Sequence, residues 1–273
     1  MIKDILVLLD NVGERAGPYA LGLARVFDAA LSGVCVAPEP SVPALPYVPV
    51  DLGVYATARD EAIEMADAVK LRFEAEARQA NLTVECTSIV AEPVLVSEQI
   101  RQAAGLSDLC VIEQSEPGRA KPGDLYLDAL LIHSGRPTLL VPYTQVAPPR
   151  FARATVAWDG SSTAARALAD AIPLLRRAGH VEVVSVVREG DEEDESFAPK
   201  LVRHLARHGI EASFRRLTTT IPIAETLLSR VADSNSDLLV LGAYGHSRVR
   251  EALLGGTSRT ILQAMTLPVL MSH

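Results

Sequence analysis

Nothing in this sequence supplies an excess of positive charge. Its 273 residues carry 26 Lys and Arg against 34 Asp and Glu, a formal net charge of -8, and the pI is near 5.3. Phosphate surfaces recruit Lys and Arg in excess, so no general affinity for nucleic acid or anionic membranes is expected. Long apolar runs are missing too. The run from Ile5 to Leu9 is stopped by Asp10 and is too short for the core of a signal peptide. No later segment approaches the length that crosses a bilayer, so a cytoplasmic protein is expected. Cysteine is scarce and unpaired in pattern: Cys35, Cys86 and Cys110 form no CxxC. Cys35 and Cys110 stand in apolar, strand-like settings, and reduced, buried packing roles are expected for the three. The nucleotide signatures GxxxxGK[ST] and GxGxxG are absent, as are GxSxG and HExxH.

What the chain does have is a repeat. Ile5-Leu-Val-Leu-Leu-Asp10 in the first half answers to Ala154-Thr-Val-Ala-Trp-Asp159 in the second, each an apolar strand ending in Asp. Helical patterns follow at 19–27 and 164–172, and strands at 33–36 and 180–187. Further on, 83–90 matches 211–217 as strands, and Pro93 to Ala104 matches Pro222 to Ala232 as helices. Asp108-Leu-Cys-Val-Ile112 then pairs with Asp237-Leu-Leu-Val-Leu241, and Arg136-Pro-Thr-Leu-Leu-Val-Pro142 with Leu267-Pro-Val-Leu-Met271. Apolar strands alternating with helices imply βαβ crossovers and a parallel sheet covered on both faces. The expected fold class is therefore α/β: two tandem, doubly wound, parallel five-stranded sheets with helices on both faces.

The proline-rich stretch from Tyr143 to Arg150 reads as a linker. It places a first domain at 1–143, a linker at 144–150 and a second domain at 151–273. The first domain carries a proline-rich insertion, Pro38 to Pro49, which is a surface loop or a cover for a pocket or partner. At the matching place the second domain has an acidic run, Asp191 to Glu195, explained by a solvated loop or helix start.

One stretch stands out. Gly242-Ala-Tyr-Gly-His-Ser-Arg-Val-Arg-Glu-Ala-Leu-Leu-Gly-Gly-Thr-Ser258 follows the apolar strand Leu238 to Leu241 directly. In doubly wound sheets ligands bind at the carboxyl ends of strands, beside helix N-termini. Gly242 and Gly245 let the backbone approach a ligand, and Gly255 and Gly256 precede a helix capped by Thr257 or Ser258. Amides at such a helix start form a site for phosphate.

This pattern, Gly-x2-Gly-x9-Gly at Gly242, Gly245 and Gly255 before a final helix and a Pro-Val-Leu strand, resembles the universal stress protein family. The likeness covers the chain as a tandem pair and is stronger in the second half. It implies the adenine nucleotide alpha hydrolase-like fold, and binding of ATP or a related adenine nucleotide, with Mg2+, in the second domain. Amides at Gly242, Gly245, Gly255 and Gly256 would then face the phosphates, Asp159 would sit at the adenosine end, and Val186 or Val187 near the base. Two positions depart from the pattern. Gly256 stands where Ser or Thr is usual, so the hydroxyls fall at Thr257 and Ser258. Tyr244 stands where His is common, with His246 and Arg248 just beyond; Arg248 pairs with phosphate or is a solvated surface residue. The resemblance also implies dimerisation through the last strand, which a tandem chain makes internally, and a further homodimer is open.

The first domain has Glu113 and Glu116 where the second has Gly242 and Gly245. Carboxylates at a phosphate position repel a nucleotide, so the first domain is not expected to bind one. His204 and His208, four apart on a helix, have a metal-chelating spacing, but no HExxH joins them and a solvated basic face is the expectation. No base or nucleophile for catalysis is identified. Three classes of function stay open: a nucleotide-binding stress-response regulator, which is preferred; an interaction module without nucleotide; and a slow ATP hydrolase.

Overall fold

The computed structural model describes residues 1–39, 52–119, 121–190, 195–243 and 256–273. Most of the proline-rich insertion and of the acidic run therefore lies outside the described residues. Two compact units emerge, Ile2–Arg136 and Pro137–His273.

In the first unit β1 (Asp4–Leu9), α1 (Ala16–Phe27), β2 (Ala30–Pro38), α2 (Leu52–Gln79), β3 (Glu85–Ala91), α3 (Pro93–Gly105) and β4 (Leu109–Glu113) alternate as the repeat predicts. A 3-10 turn, Pro122–Tyr126, and the short α4 (Leu127–Leu131) follow. The strands run parallel in the order β3-β2-β1-β4. Helices α1 and α2 pack together on the strands, and α3 packs on β2 and β3 and against α4. Leu109, Cys110, Val111 and Ile112 are all buried, which is what a strand covered on both faces requires.

The second unit opens with β5 (Thr138–Val141) and continues through β6 (Arg153–Ala157), α5 (Ser162–Leu175), β7 (His180–Arg188), α6 (Ala198–Arg207), β8 (Ala212–Thr219), α7 (Ile223–Asp233), β9 (Leu238–Gly242), α8 (Thr257–Ala264) and β10 (Val269–Ser272). Its strand order is β5-β10-β9-β6-β7-β8. All neighbours are parallel except β5 and β10, which pair antiparallel with Leu139 opposite Leu270. By contacts β5 thus counts with the second unit, because its four buried residues pair with β10.

The repeat has a polar reason as well as an apolar one. Asp108 Oδ2 accepts from the backbone N–H of Lys3 at 2.7 Å and of Asp4 at 3.2 Å. Asp237 does the same for Ala152 at 2.9 Å and Arg153 at 3.2 Å. Each aspartate, just ahead of an apolar strand, ties that strand to the start of its neighbour and satisfies N–H groups that have no ladder partner. No helix of the described residues is long and apolar enough to cross a membrane.

Candidate functional site

At the carboxyl ends of β6, β7 and β9 lies a cavity of about 250 Å3. β6 leads into it through Ala157, Trp158 and Asp159; β7 contributes Val184 and Val186, α7 Ile223 and Leu227, β9 Leu241 and Gly242. The starts of α5 and α8 supply Thr163, Ala164, Thr257 and Ser258. One wall is thus aliphatic and aromatic, and the helix starts bring hydroxyls, the mix that small-molecule sites use.

The local geometry explains each position. Asp159 is exposed, and its Oδ1 accepts from Ser161 N–H at 2.9 Å; Ser161 Oγ in turn caps α5 by accepting from Ala164 N–H at 3.1 Å. Trp158 donates its backbone N–H to Val184 O at 2.9 Å, and its ring lies 6.4 Å from that of Phe197, which meets Phe214 edge-on at 5.5 Å. Gly256 is the N-cap of α8, where no side chain caps the first turn. Ser258 is buried in that turn.

Of the residues singled out in the sequence, the structure brings Asp159, Val186, Gly242, Thr257 and Ser258 to one cavity, with Gly256 next to Thr257. Gly245, His246, Arg248 and Gly255 lie outside the described residues. Val187 is half-buried and does not line the cavity. Sequence reasoning missed Trp158, Thr163, Ile223 and Leu227. Only Trp158 carried a signal, as the single tryptophan directly before the strand-end Asp.

Gly242 has a second reason to be glycine. A Cβ there would lie 2.6 Å from Ala164 N and 2.6 Å from Thr163 C, so the start of α5 leaves no room for any side chain. Close helix packing accounts for this glycine without a ligand.

The equivalent place in the first unit is closed, with a residual space of about 10 Å3 among Asp10, Gly13, Ala16, Glu113 and Lys121. Asp10 accepts from Val12 N–H at 2.9 Å, Gly13 N–H at 2.6 Å and Gly123 N–H at 3.1 Å. Burial pushes the Lys121 ammonium below its ordinary pKa, opposed by Glu113, Asp10 and Asp124. The larger cavity of this unit, about 300 Å3, lies elsewhere, between α1 and α2. Its charged side chains are of both signs, Glu14 and Glu76 beside Arg15 and Arg72, and Arg72 donates to Gly13 O at 3.2 Å. Size alone does not make it the site, because none of the motif residues reaches it.

His204 and His208 stack edge-on along α6 with ring centroids 4.8 Å apart, and among the described residues no group of three or more His, Cys, Asp or Glu gathers to hold a metal. Cys35 and Cys110 are buried and Cys86 is half-buried, all three without disulfides. Burial pushes the Cys35 and Cys110 thiols up to about 12, which leaves no reactive thiolate at neutral pH.

Comparison with known proteins agrees with the repeat. Residues 150–273 match the sequence profile of the Universal stress protein family. A universal stress protein of Archaeoglobus fulgidus superposes with a TM-score of 0.74 at 20% identity, covering 98% of this chain and 95% of that one. A putative universal stress protein of Pseudomonas aeruginosa superposes with a TM-score of 0.56 at 15% identity, covering 100% and 93%. In sequence, a universal stress protein of Synechocystis sp. is 42% identical over 48 residues, a stretch that spans 17% of each protein. The structural matches cover both halves, so the first half shares the fold.

Proposed function

We propose that residues 150–273, which match the Universal stress protein family, form a domain that binds ATP or a related adenine nucleotide at the carboxyl ends of its strands and acts as a stress-response regulator. One observation carries the reading: Asp159, Val186, Gly242 and the pair Thr257 and Ser258, from four separate places in the sequence, line a single cavity of about 250 Å3. In this reading the base lies against Val186 and the apolar wall, Asp159 takes the adenosine end, and the phosphates run to Gly242, Gly256, Thr257 and Ser258 at the start of α8. Gly245, His246, Arg248 and Gly255, which lie outside the described residues, belong to the same motif in sequence and are proposed as further nucleotide contacts. Mg2+ is proposed to accompany the phosphates. The setting proposed is the cytoplasm, with a homodimer of chains as a further assembly.

Thermal unfolding with and without millimolar ATP and Mg2+ tests this. At a ligand concentration of about 100 Kd the expected stabilisation is about 2.7 kcal/mol. Protein that is purified free of nucleotide and shows no shift overturns the reading. The packing role of Gly242 favours a second reading in that event, an interaction module that keeps the glycine for its fold and works through its surfaces.

A further inference from the structure

The first unit does more than lack a cavity. At the start of α1, Glu113 Oε2 accepts from the backbone N–H of Arg15 and from that of Ala16 at 3.0 Å. These are amides that a helix start leaves without intrahelical partners, in the positive end of its dipole. Lys121 Nζ stands 3.9 Å from Glu113 Oε1, with side chains only 4% and 9% exposed. The loop carrying Lys121 is pinned by Asp124, whose Oδ2 accepts from Lys121 N–H at 3.1 Å. The packing is close on every side. A Cβ on Gly13 would stand 3.1 Å from Glu113 Oε2, and one on Gly123 2.7 Å from Asp10 Oδ2.

An anion on a helix start, a buried ammonium beside it and fitted walls are the parts of an occupied anion site. We propose that the strand-end site of the first domain is permanently occupied by its own Glu113 carboxylate, an internal ligand seated on the start of α1. This domain therefore takes no external anion there. Its fold is held in one state whatever the ligand concentration, and any ligand-dependent response of the chain belongs to the second domain. The second domain shows the contrast: Gly242 stands at the sequence position of Glu113, and the strand end there opens on a cavity of about 250 Å3 instead of about 10 Å3.

Chemical rescue tests this on the full chain. Glu113→Ala removes the internal ligand and strands Lys121, so the melting temperature of the first domain falls by several degrees. Formate, matched in ionic strength against chloride, fills the gap and recovers most of that loss, while the unsubstituted protein shows no formate-specific gain. A variant within one degree of the parent (roughly 0.3 kcal/mol), or equal recovery in formate and chloride, overturns the proposal. Should Glu113→Ala fail to fold, Glu113→Gln and Lys121→Met keep the test open. Their effects on melting temperature fall short of additive in the double variant if the two groups act as one ion pair in an occupied site, and strict additivity overturns it.

Discussion

At the scale of single residues, the most instructive position is Gly242. In the sequence it reads as a place where backbone approaches a ligand, and in the structure it is a place where backbone approaches a helix. The two roles separate experimentally. Gly242→Ala forces a Cβ to within 2.6 Å of Ala164 N, so it is expected to cost about 2 kcal/mol of stability without any ligand present. Urea unfolding of ligand-free protein measures this; unchanged stability would leave the glycine to the ligand alone. Asp159 was legible because an apolar strand ended on it. Trp158 offered only its rarity as a signal, since whether a side chain one residue earlier faces a cavity or a core depends on which helices cover that strand end. Glu113 was legible only in part: its charge spoke against a nucleotide, but nothing in its sequence neighbourhood pointed to Arg15 and Ala16, about 100 residues away in the chain.

At the scale of elements, β7, β8 and α7 are joined by a buried charge. Glu182 on β7 is 9% exposed and bonds Arg230 of α7 through Nε at 2.7 Å and Nη2 at 2.8 Å. Arg215 of β8 reaches it at 2.7 Å but is half exposed and contributes less. Burial pushes the Glu182 carboxyl up, and the hydrogen bonds from Arg230 and Arg215 outweigh it, so the net pKa lies below the ordinary value of 4.5. A carboxyl with a depressed folded pKa stabilises the fold above its unfolded pKa, and that contribution is lost as pH falls through the folded value. Arg230→Met, which leaves Glu182 poorly paired, is expected to cost about 3 kcal/mol at neutral pH. The cost shrinks at acid pH, below the ordinary carboxyl range, where Glu182 takes up a proton. Urea titrations at the two pH values check the sign; a cost that grows on acidification would contradict it. Periodicity announced these three elements, but not this tie, because Glu182 and Arg230 are 48 positions apart.

At the scale of the whole chain, two similar halves have unequal sites. One strand-end cavity measures about 250 Å3 and the other about 10 Å3. Titration calorimetry with an adenine nucleotide is therefore expected to give one site per chain, and a stoichiometry of two would refute both the closed first site and its internal ligand. What the sequence by itself determined is the repeat, the α/β class, a mostly parallel sheet, and Asp159 and Gly242 at the carboxyl ends of strands. These follow from local periodicity and from Asp and Gly at the ends of apolar runs, which act over a few residues. The tertiary structure alone decided that β5 pairs antiparallel with β10, that α5 presses on Gly242, and that Glu113 fills its own site. Each of these depends on the approach of elements far apart in the chain, and approach distances of a few ångströms are set by packing, which no local pattern of residues encodes.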